Sequence, residues 1–150
     1  MMTHGFKSKG NAKKYGEVFT PPQIVLEMIL QDGIRDCLVD VNKTMFVPAV
    51  GEGQFPTCEL VWKMFFSVER LDEETALRAL ASLYGVDIQS TSVAKCKEHL
   101  LETICAAYKF FTGQEFTRME EAREILDQNI IVGNSLELMR GWANCQQSLF

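Results

Sequence analysis

The fold is decided by the stretch TMFVPAVGEGQF, which covers residues 44–55. Its first half is a short apolar run that predicts a buried strand ending at Pro48. Gly51 and Gly53 follow as a turn in which the backbone can approach a ligand closely. Apolar residues resume at Phe55 and predict a helix. The stretch is therefore interpreted as a strand–turn–helix unit.

The alternation of strands and helices continues along the chain. Residues 83–88 (LYGVDI) and 129–133 (NIIVG) predict two more short strands. A helix capped by Asp72 is expected before the second strand, and a capping box at residues 117–120 opens the helix before the third. The long helix between them is predicted by apolar residues at helical spacing, namely Val93, Cys96, Leu100, Leu101, Ile104 and Tyr108.

This order indicates a parallel sheet joined by right-handed crossovers. We expect an α/β fold with about three strands in the spatial order 3-2-1, which is a truncated Rossmann-like sheet. Strand 1 is central in a complete sheet of this kind, and here its outer edge, Met45 to Val47, has no further predicted strand to pair with. Because an unpaired edge favours association, the sequence predicts a homo-oligomer or a second chain at that edge.

The N-terminal region precedes this unit. Residues 1–14 carry four lysines and no hydrophobic period, so we expect a flexible basic arm followed by one domain over residues 15–150. A contact with a phosphate backbone and a solvated tail are both compatible with the arm. Thr20, the two prolines after it and Gln23 form a capping box that predicts a helix fading near Gly33.

The composition restricts the class of protein. The 150 residues have a formal net charge of −5, which argues against a self-sufficient nucleic-acid binder with a dense basic face. No apolar run approaches the roughly 18 residues of a membrane helix, and none follows the N-terminal lysines as in a secretory signal, so we expect a cytoplasmic protein. Five cysteines without a C-x-x-C pair and two histidines predict reduced, buried thiols and no zinc site.

Side chains that suit a nucleoside follow the predicted strands. Open α/β sheets bind ligands beyond the carboxyl ends of their strands. Asp87 ends strand 2, where a carboxylate can accept hydrogen bonds from a ribose diol, and Ile88 beside it can pack on an adenine ring. Asn134 and Ser135 end strand 3 and offer amide and hydroxyl groups to a base edge. Together with the glycine turn, these residues predict a nucleoside-containing ligand.

The sequence argues against a nicotinamide dinucleotide as that ligand. The dinucleotide loop has the pattern G-x-G-x-x-G, but Pro56 stands in place of the third glycine. Glu52 lies between the first two glycines, where its charge would face a pyrophosphate. Asp87 follows Gly53 by 34 residues instead of about 20. A ligand without phosphates suits the loop better.

Four segments in order carry a family resemblance. They are GEVFTPP at residues 16–22, FVPAVGEGQF at 46–55, YGVDI at 84–88 and NIIVGNSL at 129–136. They are similar to the F-T-P-P, L-E-P-A-C-G-x-G-x-F, G-x-D/E-I and I-x-x-G-D-x-L segments of the gamma group of DNA adenine-N6 methyltransferases, which includes the modification subunits of type I restriction systems. The resemblance implies a class I methyltransferase-like fold that binds S-adenosylmethionine.

The resemblance also implies a role for individual residues. Thr20 and the backbone near Ala49 and Gly51 would hold the methionine end of the cofactor. Asp87 would accept hydrogen bonds from the ribose hydroxyls, and Ile88 would pack on the adenine. The complete set implied in cofactor binding is Thr20, Pro21, Pro48, Ala49, Gly51, Gly53, Phe55, Asp87, Ile88, Asn134 and Ser135.

Two positions depart from the family pattern. Val47 stands where a glutamate usually lies beside the cofactor's ammonium group, and a lost charge-assisted hydrogen bond costs about 1.5–3 kcal/mol. Asn134, which would lie near the adenine amino group, stands where aspartate is usual, and an amide accepts less strongly than a carboxylate. We therefore expect weak or absent binding of S-adenosylmethionine.

The family's catalytic tetrad is asparagine or aspartate followed by Pro-Pro-Tyr, and it holds a flipped adenine. The only Pro-Pro pair in this sequence is Pro21-Pro22, which follows Thr20. We expect no catalytic residue in the chain, no DNA methylation by it alone, and DNA bound only within a complex. Three interpretations stay open: a split or truncated methylase of a restriction–modification or mobile-element system that needs a second polypeptide, an interaction module that lost the ligand, and part of a longer methylase.

Two other groups of residues are assigned to structural roles. Trp62, Phe65 and Phe66 are expected in the core and not in a base-stacking platform. His99 lies among charged residues of its predicted helix, so we expect it to be exposed.

Overall fold

The computed structural model describes residues 23, 24, 27, 31–138, 140 and 141. A short helical stretch occupies residues 135–138, and the predicted arm at residues 1–14 lies outside the described residues. None of the helices in this part of the chain has the length and apolar character needed to cross a membrane. The main elements are α1 (Asp32–Leu38), β1 (Met45–Val47), α2 (Gln54–Phe66), a 3-10 helix (Val68–Arg70), α3 (Glu73–Ala81), β2 (Leu83–Asp87), α4 (Ser90–Thr112), α5 (Met119–Asn129) and β3 (Ile130–Val132).

The three strands form one parallel sheet in the order β1-β2-β3. Met45 of β1 pairs with Leu83 of β2, and Gly85 of β2 pairs with Ile130 of β3. The predicted α/β fold and strand order are confirmed, and the arrangement is compatible with half of a Rossmann-like sheet. Right-handed crossovers between successive neighbours put their helices on one face of a sheet, and α2 to α5 pack on one another and on the strands.

The core lies between this helix layer and the sheet. The predicted stripe of α4 is buried at Val93, Cys96, Leu100, Ile104 and Tyr108, while Leu101 is half-buried. Opposite this stripe, the other helices and β3 contribute further fully buried apolar side chains, including Leu60, Met64, Leu80, Leu126 and Ile130.

The other face of the sheet carries an apolar row that stays exposed. Phe46, Tyr84 and Ile131 are between 39% and 47% exposed. They alternate with residues that face the helices. Because Met45 and Val47 are only half-buried as well, the prediction of a buried first strand was wrong. A cavity of about 450 Å³ lies along it, bounded at the amino ends of the strands by Thr44 and Asn129. We call Phe46, Tyr84 and Ile131 the open sheet face.

Helices α1 and α2 meet through residues that the sequence assigned differently. Trp62 and Phe66 of α2 pack around Leu38 of α1 and are only partly buried, whereas Phe65 is exposed. The core prediction was therefore wrong for Phe65. Leu38 is completely buried in this contact. α1 is a separate helix that begins at Asp32, after Gln31, and most of the helix that the sequence predicted to fade near Gly33 lies outside the described residues.

The start of α5 differs from the predicted capping box. The residue before its first turn is Arg118 and not Thr117, and Arg118 makes no side-chain capping hydrogen bond. The backbone N–H and hydroxyl of Thr117 both donate to the carboxylate of Glu73 at the start of α3. Arg118 adds an ion pair with Glu74 at 2.9 Å. Thr117 therefore ties two helices together and does not cap its own.

A buried lysine fixes the loop that leads into β1. Lys63 of α2 is fully buried, and its Nζ donates to the carbonyl oxygens of Asp40 at 3.1 Å and Lys43 at 2.7 Å. Burial lowers the pKa of Lys63. Glu59, one turn earlier, is also buried, which raises its pKa to about 7 despite the nearby Lys63 ammonium. Among the described residues, Glu59 Oε1 has no hydrogen-bond partner.

Replacement of Gly85 by alanine is expected to destabilise the sheet. A Cβ at this position would lie 2.1 Å from Cγ1 of Val50, a buried side chain that covers Gly85. Overpacking of this kind costs about 1–3 kcal/mol of unfolding free energy, which urea denaturation will measure.

Gly33→Ala is the matched control, because a Cβ there meets nothing within 4 Å. Alanine favours a helix over glycine by up to about 1 kcal/mol. The double variant Gly85→Ala/Val50→Ala should lose less stability than the sum of the two single changes. If Gly85→Ala is as stable as the wild type, the contact between Gly85 and Val50 is not as close as described.

Glu59 should make the fold less stable as the pH rises. Folding takes up a proton at Glu59 between its unfolded pKa of 4.5 and its folded pKa of about 7. The stabilisation of the fold by this proton is therefore complete below pH 4.5 and is lost as the pH rises through 7. The loss amounts to about 3 kcal/mol.

Glu59→Gln removes this titration, so the unfolding free energy of the variant should rise relative to wild type between pH 5 and pH 8. Glu69→Gln, at an exposed position, is the matched control, and surface substitutions of this kind change the unfolding free energy by at most about 0.5 kcal/mol. A pH-independent difference for Glu59→Gln would show that Glu59 is ionised in the folded chain.

Candidate functional site

The candidate site lies at the carboxyl ends of the three strands. It comprises the loop of residues 48–53 after β1, Asp87 and Ile88 at the end of β2, and residues 133–135 after β3. The parallel order of the strands brings these three segments to one edge of the sheet, as the sequence predicted. Of the remaining predicted contacts, Thr20 and Pro21 lie outside the described residues.

Asp87 joins the three segments. Its carboxylate accepts hydrogen bonds from the backbone N–H of Gly51 at 3.0 Å and of Gln89 at 2.9 Å. Its backbone carbonyl accepts from the N–H of Gly133 at 3.0 Å. The residue is only 5% exposed. Asp87 therefore holds the site together, a structural role that the sequence did not predict.

Both glycines of the turn are required by its backbone conformation, and Gly53 is also required by a close packing contact. Gly51 and Gly53 have φ angles of 56° and 100°, in the left-handed region that disfavours other residues. A Cβ on Gly53 would also lie 3.2 Å from Sγ of Cys96 on α4. Burial raises the pKa of the Cys96 thiol to about 12, and the nearby carboxylate of Asp87 adds to the shift. The Cys96 side chain that packs against Gly53 is therefore a neutral thiol.

Glu52, between the two glycines, is held on α4 at two points. His99 Nδ1 donates to the Glu52 carbonyl oxygen at 2.6 Å, and Lys95 Nζ lies 3.3 Å from the Glu52 carboxylate. The prediction that His99 is exposed was wrong, since it is half-buried against the turn. Lys95 balances the charge that the sequence suggested would face a pyrophosphate.

Apolar surface surrounds this polar framework. Ile88 is 59% exposed directly beside Asp87. Pro48 and Ala49 are exposed on the loop after β1, and Val132 is exposed at the end of β3. An exposed apolar surface next to a buried carboxylate can contact a flat ring.

The other predicted residues have local roles. Asn134 caps the helical stretch at residues 135–138, because its Oδ1 accepts from the N–H of Leu136 at 2.9 Å and of Glu137 at 3.3 Å. Ser135 is the first residue of that stretch. Phe55 packs with Leu38 between α1 and α2, so its ring contributes to helix packing.

Sequence reasoning missed Lys95, Cys96 and His99 as parts of the site. All three lie on α4 and contact the turn from more than 40 positions away in the chain. No local pattern marks such contacts. The one available signal was the i, i+4 spacing of Lys95 and His99. This spacing puts two polar side chains next to each other on α4, beside its buried apolar stripe.

Within the described part of the chain, no group of three or more His, Cys, Asp or Glu side chains is arranged to hold a metal ion. Four cysteines are free thiols, and of these only Cys96 is buried, so the prediction of buried thiols was too general. Comparison of the chain with models of protein families, with curated proteins and with solved structures found no match.

Asp87→Asn should destabilise the chain although the two side chains have the same shape. Both partners of the carboxylate are N–H donors, so an asparagine amide nitrogen would oppose one of them. We expect a loss of about 1.5–3 kcal/mol in urea denaturation and faster amide exchange at Gly51.

Asp127→Asn is the matched control. Asp127 forms an exposed ion pair with Lys97 at 3.1 Å, and such pairs contribute at most about 1 kcal/mol. Equal losses in the two variants would mean that Asp87 does not bridge the two backbone groups in solution.

Proposed function

We propose that this chain is the S-adenosylmethionine-binding domain of a cytoplasmic DNA adenine-N6 methyltransferase-like protein from a restriction–modification or mobile-element system. The support is the resemblance of four ordered segments, together with the α/β fold in which three of them meet at one edge. The class I methyltransferase-like character of the fold belongs to the same proposal.

The single observation that carries the proposal is the junction at Asp87 with Ile88 beside it. A carboxylate offers about four acceptor positions, and two of them are used by Gly51 and Gln89. The remaining positions can accept ribose hydroxyls that approach past the glycine turn. Ile88 presents the apolar surface that an adenine ring needs. The donors, acceptors and apolar surface of this edge fit a nucleoside.

The methionine end of the cofactor is assigned to the loop after β1. Pro48 and Ala49 are exposed there, and Gly51 has no side chain that would keep a ligand away from the backbone. Val47 is apolar and offers no carboxylate to the ligand's ammonium group. Affinity in the micromolar to millimolar range is therefore expected.

Asn134 and Ser135 are proposed to lie near the base. The Oδ1 atom of Asn134 already accepts from two backbone N–H groups, so the amide NH₂ is the group it would turn to a ligand. An NH₂ group donates, and it suits an acceptor nitrogen of the purine better than the amino group. This differs from the role that the resemblance implies for the position.

Catalysis would require groups that this sequence does not contain. The sequence has no Asn/Asp-Pro-Pro-Tyr tetrad, so we propose that a second polypeptide, or another part of a longer one, holds the target adenine and the DNA. The proposed point of attachment is the edge of β1 that pairs with no strand of the described residues. We expect no methylation of DNA by these 150 residues alone.

A second candidate function is a protein-interaction module that retains the fold without the ligand. The observation that favours it is the open sheet face, because parallel sheets are normally covered on both faces. The use of two acceptor positions of Asp87 within the chain points the same way. A homodimer that is unaffected by S-adenosylmethionine would support this function over the first.

Titration calorimetry with S-adenosylmethionine tests the proposal. We expect binding in the micromolar to millimolar range and no heat with a nicotinamide dinucleotide. Ile88→Glu should weaken binding about 10-fold or more without loss of stability, because Ile88 is exposed and its substitution puts a charge against the adenine. Asp87→Ala should abolish binding, although it also loosens the site.

Phe110→Glu is the control variant. Phe110 is 83% exposed near the far end of α4, so the change should leave affinity unchanged. The proposal fails if millimolar S-adenosylmethionine gives neither heat nor thermal stabilisation, or if Phe110→Glu weakens binding as much as Ile88→Glu.

A further inference from the structure

Three side chains of α4 contact the glycine turn, namely Lys95, Cys96 and His99. Cys96 contacts Gly53, His99 donates to the Glu52 carbonyl oxygen at 2.6 Å, and Lys95 lies 3.3 Å from the Glu52 carboxylate. Cys96 and Lys95 lie three and four positions before His99, so both are neighbours of His99 on the surface of the helix. None of the three is among the residues proposed to contact the ligand.

The turn needs this support because of its conformation. Two of its three residues are glycines with positive φ, and glycine loses more conformational freedom on ordering than any other residue. Within the loop region, the N–H of Gly51 is held by Asp87 and the N–H of Gly53 by the carbonyl of Val50 at 2.9 Å. The peptide group between Glu52 and Gly53 is therefore held at both ends, its N–H by Val50 and its carbonyl oxygen by His99.

The chemistry of this hydrogen bond restricts what can replace His99. A carbonyl oxygen only accepts, so Nδ1 must carry a hydrogen, which both the neutral Nδ1–H tautomer and the imidazolium provide. The Nδ1 atom lies at the δ position of the side chain. Asparagine has an NH₂ group at the same position, whereas glutamine has one further out, at the position of Nε2.

We propose that His99 is a positioning residue for ligand binding: it fixes the Glu52 carbonyl so that Gly51 and Gly53 keep the backbone conformation a ligand meets. Lys95 supports it by holding the Glu52 carboxylate on α4 and balancing its charge. A loop ordered in advance spares the ligand the entropy of ordering it. The proposal rests on the proposed function for the identity of the ligand, S-adenosylmethionine, but the ordering of the turn does not depend on it.

The test compares His99→Asn with His99→Gln and His99→Ala in the 150-residue chain. Amide exchange at Gly51 and Gly53 is measured by NMR without ligand, and the S-adenosylmethionine dissociation constant by calorimetry. We expect His99→Ala and His99→Gln to speed exchange and to weaken binding about 3- to 10-fold. His99→Asn should stay within about twofold of wild type in both measurements.

Rescue by asparagine but not glutamine separates positioning from general packing, because both replacements remove the ring. Unchanged exchange in His99→Ala, or His99→Asn that behaves like His99→Gln, overturns the proposal. If His99→Ala does not fold, the asparagine–glutamine pair decides alone. If the wild type binds no S-adenosylmethionine, the proposed function fails, while the exchange rates still decide the role of His99.

Discussion

The carboxylate of Asp87 accepts from the backbone of the turn after β1 and from the start of α4, while its carbonyl accepts from Gly133 after β3. Each of these segments leaves a different strand, and without a common acceptor their N–H groups would be left unpaired at a largely buried position. The constraint acts on the fold and on the site together. An acid at the end of the central strand sets the distance between neighbouring loops and thereby the width of any opening between them.

The glycine turn depends on contacts from two sides. Asp87 holds its beginning, and α4 supports the rest through Cys96 and His99. This arrangement explains why a glutamate between two glycines is compatible with ligand binding, since Lys95 draws that carboxylate onto the helix. It also makes the turn part of the helix–sheet packing, so that changes in α4 reach the site without any contact with a ligand.

Within the described residues, the sheet is covered completely on one face and only in part on the other, where Val86 is buried beside Ile131. Helices α2 to α5 cover the side on which Leu83 and Ile130 lie, and Phe46, Tyr84 and Ile131 remain on the other. Covering apolar side chains of this size is favourable, because burial contributes about 25 cal/mol of free energy for each Å² of apolar surface removed from water. This energetic imbalance is the physical reason to look for a partner, whichever of the two candidate functions holds.

Local sequence determined the strands, the α4 stripe, the Asp72 cap and the glycine turn, because each depends on residues a few positions apart. Local sequence also predicted that Asp87, Ile88 and the turn lie at one edge of the sheet. The carboxyl ends of parallel strands meet at the same edge whatever the details of side-chain packing. Tertiary structure alone decided that Asp87 is bridged and buried, that His99 and Lys95 hold the turn, and that α2 buries Lys63 and Glu59. These contacts join residues 20 or more positions apart or depend on which side of a helix the fold covers, and no periodicity encodes either.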